Sequence, residues 1–115
     1  MNKTHIQILK EIVEERRKYF KNYIEFAREI KKKAEKILGN VKVLVFGSIV
    51  KGRYNPLSDI DILIISDNLD ENWEERRFIK AKIKPPFSPF QIHLVTNPEY
   101  FSHYKNFIKE DYIEV

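Results

Sequence analysis

Asp59 and Asp61 stand one residue apart at the head of an apolar run that ends at Ile65, and the pair Gly47-Ser48 precedes them across ten intervening residues. If the run is a strand, side chains at i and i+2 project from one face. Asp59 and Asp61 then lie side by side, while Ile60, Ile62 and Ile64 point the other way into a core. Two neighbouring carboxylates repel unless a cation sits between them, and a divalent metal with oxygen ligands suits that place. Gly47 gives a backbone free to take positive φ and to approach a ligand closely. Amides that follow such a turn form an anion-binding nest. Ser48 adds a hydroxyl, and Lys51 and Arg53 follow within reach of the same anion. Phosphate donors on one side and paired carboxylates on the other suit a metal-bound nucleoside triphosphate.

These residues need strands to hold them. Val41–Phe46 is β-branched and apolar and reads as the first strand. Gly47-Ser48 opens a turn or short helical segment that ends near Gly52, and Asn55-Pro56 marks a loop. The second strand runs from Asp59 to Ile65 and stops at Ser66-Asp67-Asn68. Residues 70–83 read as a helix, acidic in its first turn and basic in its last, as the helix dipole favours. Trp73, Ile79 and Ile83 share a face there, which places Trp73 in the core. Pro85, Pro86 and Pro89 stiffen the next connection. Phe90–Val95 alternates as a third strand, with Phe90, Ile92 and Leu94 on one side and Gln91, His93 and Val95 on the other. Asn97-Pro98 starts a final amphipathic helix carrying Tyr100, Phe101, Tyr104, Phe107 and Ile108. The tail from Tyr112 to Val115 is short and partly apolar; it closes the domain or touches a partner. The order predicts an α+β (sandwich-like α/β) domain with a small mixed sheet and flanking helices.

Residues 4–38 contain no Gly or Pro and read as one long N-terminal helix, with Thr4 as its cap and Gly39-Asn40 as its stop. Its apolar seam runs Ile6, Leu9, Val13, then Phe20, Tyr23, Ala27, Ile30, Ala34 and Ile37, and Arg16 is the one break. A straight helix of this length spans about 48 Å, against a radius of gyration of about 11 Å for the remaining chain. Either it breaks near Glu14–Lys18, where polar residues cluster, or one half packs on another chain. The division expected is a helical extension over 1–39, packed on or projecting from a core domain over 40–115.

The 115 residues make one domain, and 43% apolar content supports a core. The absence of cysteine excludes disulfides and thiol chemistry. No apolar run is long enough to span a membrane, and the N-terminus is charged almost at once, so a cytoplasmic protein is expected. Eleven Lys and Arg against six Glu fall in residues 1–40, which holds the whole basic excess. Lys31-Lys32-Lys33 reads as a solvated face, with nucleic-acid contact the sharper alternative. The abundance of Lys, Glu and Ile points to a thermophilic source. His5 and His103 read as surface residues. Tyr54 is either a base-stacking residue or an ordinary loop aromatic.

Gly47-Ser48, ten residues, then Asp59-x-Asp61, with Lys51-Gly52 after the turn and Ser58 before the first aspartate, resembles the signature of the DNA polymerase β-like nucleotidyltransferase superfamily, and the length is similar to its minimal nucleotidyltransferases. The resemblance spans roughly residues 40–100. It implies the nucleotidyltransferase fold and transfer of a nucleoside monophosphate from a nucleoside triphosphate, ATP foremost, to a protein, small-molecule or RNA hydroxyl. Two metal ions, Mg2+ or Mn2+, would clamp the displacement. By resemblance Asp59 and Asp61 bind metal, and Gly47, Ser48, Lys51, Arg53 and Ser58 contact the nucleotide. Such proteins often carry a third carboxylate where His93 stands. Here Gln91 and His93 occupy the third strand's positions beside the aspartates. His93 then serves as base or ligand, or Asp67 or Glu99 completes the site, or the site binds nucleotide with little turnover. The resemblance also implies a partner: a helical HEPN-type protein, with this chain as antitoxin of a toxin–antitoxin pair, or a second copy joined through the N-terminal helix. RNA is a further candidate partner. The alternative is a nucleotide- or partner-binding module without catalysis.

Overall fold

The computed structural model describes residues 4–115. Helix α1 (His5–Lys21) starts on Thr4, whose hydroxyl accepts from the Gln7 amide while the Gln7 side chain accepts from the Thr4 amide. Helix α2 (Tyr23–Leu38) follows after a break at Asn22, where φ is −119° and ψ is 31°. The break expected near Glu14–Lys18 lies instead at Asn22. The Glu, Arg and Lys of that cluster propagate a helix well. Asn22 turns its amide back onto the Lys18 carbonyl at 3.2 Å, a local bond that competes with the helical ladder.

Among the described residues four strands form one sheet in the order β3-β2-β1-β4. Strands β1 (Lys42–Phe46) and β2 (Ile60–Ile65) pair antiparallel. Helix α3 (Trp73–Ile83) then crosses over to β3 (Phe90–Val95), which runs parallel to β2. Strand β4 (Tyr112–Glu114) comes from the tail and pairs antiparallel with β1. The tail therefore closes the domain as an edge strand. The last helical segment passes through three windings: α4 (Asn97–Glu99), a π-helical stretch (Tyr100–Tyr104) and α5 (Lys105–Ile108).

Both faces of the sheet are covered. Ile60, Ile62 and Ile64 join Val43 and Val45 under Ala27, Ile30 and Ala34 of α2 and Ile79 and Ile83 of α3. The two alanines leave room for α2 to lie close to the sheet, and their spacing with Ile30 is that of a buried helical stripe. On the opposite face Leu44, Phe46, Leu63, Ile65 and Val95 pack under Ile108, Tyr100 and Tyr104. One end of this second face presents Asp61, Gln91 and His93, and away from that end Lys42 and Glu114 pair at 3.7 Å.

Trp73 is not in the core: it is 71% exposed. Arg76 takes the inward position with Ile79 and Ile83. Its charge is tolerated because it donates to the Asp70 carbonyl at 2.6 Å and to Glu99 Oε1 at 2.8 Å. The molecule is 50 Å long against 29 and 22 Å across, since the first half of α1 runs past the sheet with Ile6, Ile8, Leu9 and Ile12 exposed. Among the described residues no helix is long and apolar enough to cross a membrane.

Candidate active site

Strand β1 ends at Phe46, and the chain turns at once. Gly47 takes φ of 91°. A Cβ at Gly47 would stand 2.5 Å from Asp61 Oδ2, so the turn lies directly against the aspartate of the neighbouring strand. Only glycine permits both the backbone angle and the approach. The Gly47 carbonyl accepts from the amides of Val50 and Lys51 at 3.2 and 3.3 Å, and the Arg53 amide donates to the Ser48 carbonyl at 2.9 Å. The segment is thus a run of tight turns rather than a helix. Among the described residues the amides of Ser48 and Ile49 donate to no protein acceptor. A cavity of about 270 Å³ opens beside this turn, lined by Gly47, Ser48, Lys51, Arg53, Phe107 and Asp111 among others. The two cations and the turn therefore face one volume.

The aspartates are unequally placed. Asp59 precedes β2 with its side chain 62% exposed, and Arg16 Nη2 of α1 approaches it at 3.9 Å. The same guanidinium donates to the carbonyls of Pro56 and Ser58, each at 2.6 Å. Arg16, the polar break in the helix seam, is the residue that holds the loop ahead of Asp59. Ser58 itself is engaged in that loop, its hydroxyl accepting from the Asn55 amide at 3.1 Å. Tyr54 stacks on Phe20 with ring centroids 5.0 Å apart, which ties the loop to α1 at a second point.

Asp61 is the more enclosed carboxylate, and it faces β3. Gln91 is its register partner, yet the contact comes from His93, whose Nε2 lies 3.3 Å from Asp61 Oδ1. The His93 Nδ1 lies 3.2 Å from the Tyr104 hydroxyl. An ionised carboxylate only accepts, so in the neutral imidazole Nε2 carries the proton and Nδ1 accepts from Tyr104. Burial raises the Tyr104 pKa above its ordinary value, and the Glu99 and Asp61 carboxylates add to the effect, which keeps the phenol protonated. The rings of Phe46 and Tyr104 flank the imidazole at 5.5 and 5.7 Å. Tyr104, on the π-helical stretch, reads in the sequence as an aromatic of the last amphipathic helix but not as a site residue.

Asp67 and Glu99 are bound to groups other than Asp59 and Asp61. Asp67 accepts from the Asn97 amide group at 3.0 Å, and Glu99 is bound to Arg76 and Thr96. Among the described residues no three of His, Asp and Glu group as a metal site. The donor set present is two carboxylates, one of them against the turn whose cavity Lys51 and Arg53 line. That set fits a hard divalent ion shared with triphosphate oxygens, since Mg2+ commonly takes one or two carboxylates plus substrate phosphates. It does not fit a cage built by the protein alone.

Residues 24–115 match the family described as the nucleotidyltransferase domain, which spans the sheet, the turn, both aspartates and α2. The fold is similar to a crystal structure at 1.40 Å of a Sulfolobus solfataricus protein assigned provisionally to the nucleotidyltransferases. The two are 23% identical with a TM-score of 0.61, over 90% of this chain and 84% of that one. None of the curated proteins matches the chain significantly.

Proposed function

The chain belongs to the nucleotidyltransferase domain family, and from that premise we propose that it moves a nucleoside monophosphate from a nucleoside triphosphate, ATP foremost, to an acceptor hydroxyl. The observation that carries this reading is the apposition of Gly47 and Asp61, which sets a free-amide turn against a carboxylate at one point. The triphosphate lies along Gly47 and Ser48 with Lys51 and Arg53 on its outer oxygens. The acceptor oxygen attacks the α-phosphorus, the bond from that phosphorus to the bridging oxygen breaks, and pyrophosphate leaves. The acceptor proton passes to the Tyr104 oxygen as the Tyr104 proton passes to His93 Nδ1, and Asp61 holds the resulting imidazolium. Asp59 and Asp61 would hold Mg2+ or Mn2+, which when bound supplies neutralisation of the triphosphate charge.

The partner side of the proposal rests on α1. Ile6, Ile8, Leu9 and Ile12 are exposed along a projecting helix, and Phe87 stands nearby on the Pro85-Pro86 connection, 99% exposed. Such a contiguous apolar surface suits a protein partner. A HEPN-type helical protein docked on this face, as in a toxin–antitoxin pair, is the favoured partner, and a second copy is the other.

Two observations favour a second reading, in which the domain binds nucleotide or partner without turnover: His93 stands where a third carboxylate is usual, and Arg16 approaches Asp59. Incubation with labelled ATP, Mg2+ or Mn2+ and the candidate partner separates the two. Label transfer that disappears in Asp59→Asn and Asp61→Asn supports the enzyme. Tight partner binding that survives both substitutions, with no transfer from any nucleotide or metal, supports the module.

A further inference from the structure

A second cavity reaches His93 from the side away from the triphosphate turn. It measures about 380 Å³ and lies between α3 and the π-helical stretch, with Trp73, Lys80, His93, His103 and Tyr104 in its wall. It adjoins a shallower cleft of about 490 Å³ across Trp73, Arg76 and Glu99. Its size is that of a small-molecule site. The cavity beside Gly47 shares none of its lining residues. The Asp61–His93 pair stands between the two.

The walls have a definite chemistry. Arg76 and Glu99 neutralise one another at 2.8 Å. Glu71 faces only the outer cleft. What remains near His93 is the Lys80 ammonium, the His103 imidazole and the Trp73 ring. Among the described residues Lys80 has no carboxylate within ion-pair distance. Desolvation lowers its pKa, with Arg76 and Arg77 acting in the same sense. A partly buried cation without a counter-charge is relieved by an anion. Trp73 is a large aromatic left out of the core at the mouth of the same cavity, the kind of exposed apolar group that marks a binding surface.

We propose that this cavity binds the acceptor, and that the acceptor is a hydroxyl-bearing small molecule with an anionic group, phosphate or carboxylate, seated on Lys80 and His103 with its apolar part against Trp73. The inference rests on the nucleotidyl-transfer reading for the word acceptor, and on the cavity alone for the anion. The hydroxyl enters beside Tyr104 and His93 and meets the α-phosphate from the side opposite the triphosphate turn. Its oxygen gains the phosphorus, its proton goes to the Tyr104–His93 chain, and pyrophosphate departs.

Trp73 is the only tryptophan, so its fluorescence reports this cavity directly. The full chain, without nucleotide or metal, is titrated with inorganic phosphate, glycerol phosphate, glycerate and glycerol. A saturable change is expected with the anions and none with glycerol; phosphate against glycerate identifies the anion. Lys80→Gln is expected to weaken binding about tenfold, as loss of one charged hydrogen bond does. The pair Lys51→Gln/Arg53→Gln is expected to leave the response intact. No saturable response, an unchanged Lys80→Gln, or loss of the response in the Lys51/Arg53 variant would overturn the assignment. Failure of labelled transfer to a compound that binds here would count against the enzymatic reading and leave the anion site standing.

Discussion

Asp61 Oδ2 occupies the space in which a side chain at Gly47 would begin, 2.5 Å from where a Cβ would stand. The turn and the strand therefore depend on one another: neither can shift without losing the apposition of free amides and carboxylate. Gly47→Ala adds both this clash and the cost of placing a non-glycine residue at φ of 91°. The left-handed region alone costs about 1–2 kcal/mol. The expected outcome is a domain that remains folded, is destabilised by about 2 kcal/mol in urea denaturation, and binds nucleoside triphosphate at least about tenfold more weakly by calorimetry. Wild-type affinity in a folded Gly47→Ala protein would show that the turn is not the triphosphate site.

Arg16 connects α1 to the loop that carries Ser58, across forty-two residues of sequence. Removing it leaves the Pro56 and Ser58 carbonyls without their donor and frees Asp59 from its nearest cation. Arg16→Ala is expected to cost about 1 kcal/mol of stability, toward the low end of the range for unpaired acceptors because both carbonyls are only part-buried. Lys at this position cannot bridge both carbonyls as the guanidinium fork does, so Arg16→Lys should restore only part of the loss. Proteolysis between Gly52 and Ser58 should rise in Arg16→Ala. Equal stability of all three proteins would remove the clamp from the account.

Much of this was written in local patterns, and the exceptions share a cause. The alternation at Phe90–Val95 placed His93 on the aspartate face, and the glycine and aspartate spacing placed the turn, because strand period and turn chemistry act over a few residues. Asp61 and His93 do meet. The break at Asn22, the tail as strand β4 and the exposure of Trp73 were not readable in the same way. Each depends on what lies across the fold. Trp73 has the size of a core residue, but Arg76 takes the inward position because Glu99, twenty-three residues later, is there to receive it. Arg16 was visible only as a flaw in an apolar seam, since its partners lie forty residues away. Tyr104 was legible only as one aromatic of the last amphipathic helix and not as a site residue, because only the fold brings the π-helical stretch over β3.

The Arg76–Glu99 pair gives a pH dependence of defined sign. Burial alone would raise the Glu99 pKa, but bonds from Thr96 and Arg76 outweigh it and hold the carboxyl below its ordinary value of 4.5. A depressed carboxyl stabilises the fold above its unfolded pKa, and that stability is lost as pH falls through the folded value. Glu99→Gln is therefore expected to be less stable than wild type by about 2 kcal/mol near neutral pH, since Arg76 stays buried without its counter-charge. The gap should close as the pH drops below 4.5. Urea midpoints measured across the acid range test this, and a gap that widens with acid would contradict it.

Tyr104 acts on His93 through one hydrogen bond, at 3.2 Å to Nδ1. Tyr104→Phe keeps the ring packing against the imidazole and removes only the donor. Two outcomes are expected. The nitrogen-15 spectrum of His93 should lose the single Nε2–H tautomer that Tyr104 and Asp61 together select. In the transfer assay kcat should fall by about tenfold or more, within the range for a positioned proton-transfer group, with KM for the nucleotide unchanged. A shift in nucleotide KM alone would assign Tyr104 to substrate packing instead.

The first half of α1 is the part of the chain whose burial the rest of the molecule does not supply. Ile8 and Ile12 line a cavity of about 730 Å³ with Tyr19 and the Pro86–Ser88 loop, and both isoleucines are partly exposed at its edge. A helix held only by its own domain would place polar residues there, so the face is expected to be covered by a protein partner. Ile8→Glu/Ile12→Glu should leave the melting temperature nearly unchanged, because exposed positions contribute within about 0.5 kcal/mol. It should abolish association, whether with a helical partner in pull-down or with a second copy in sedimentation. A large drop in melting temperature with association intact would mean that the face folds against its own domain, and the helix would then be structural rather than a docking element.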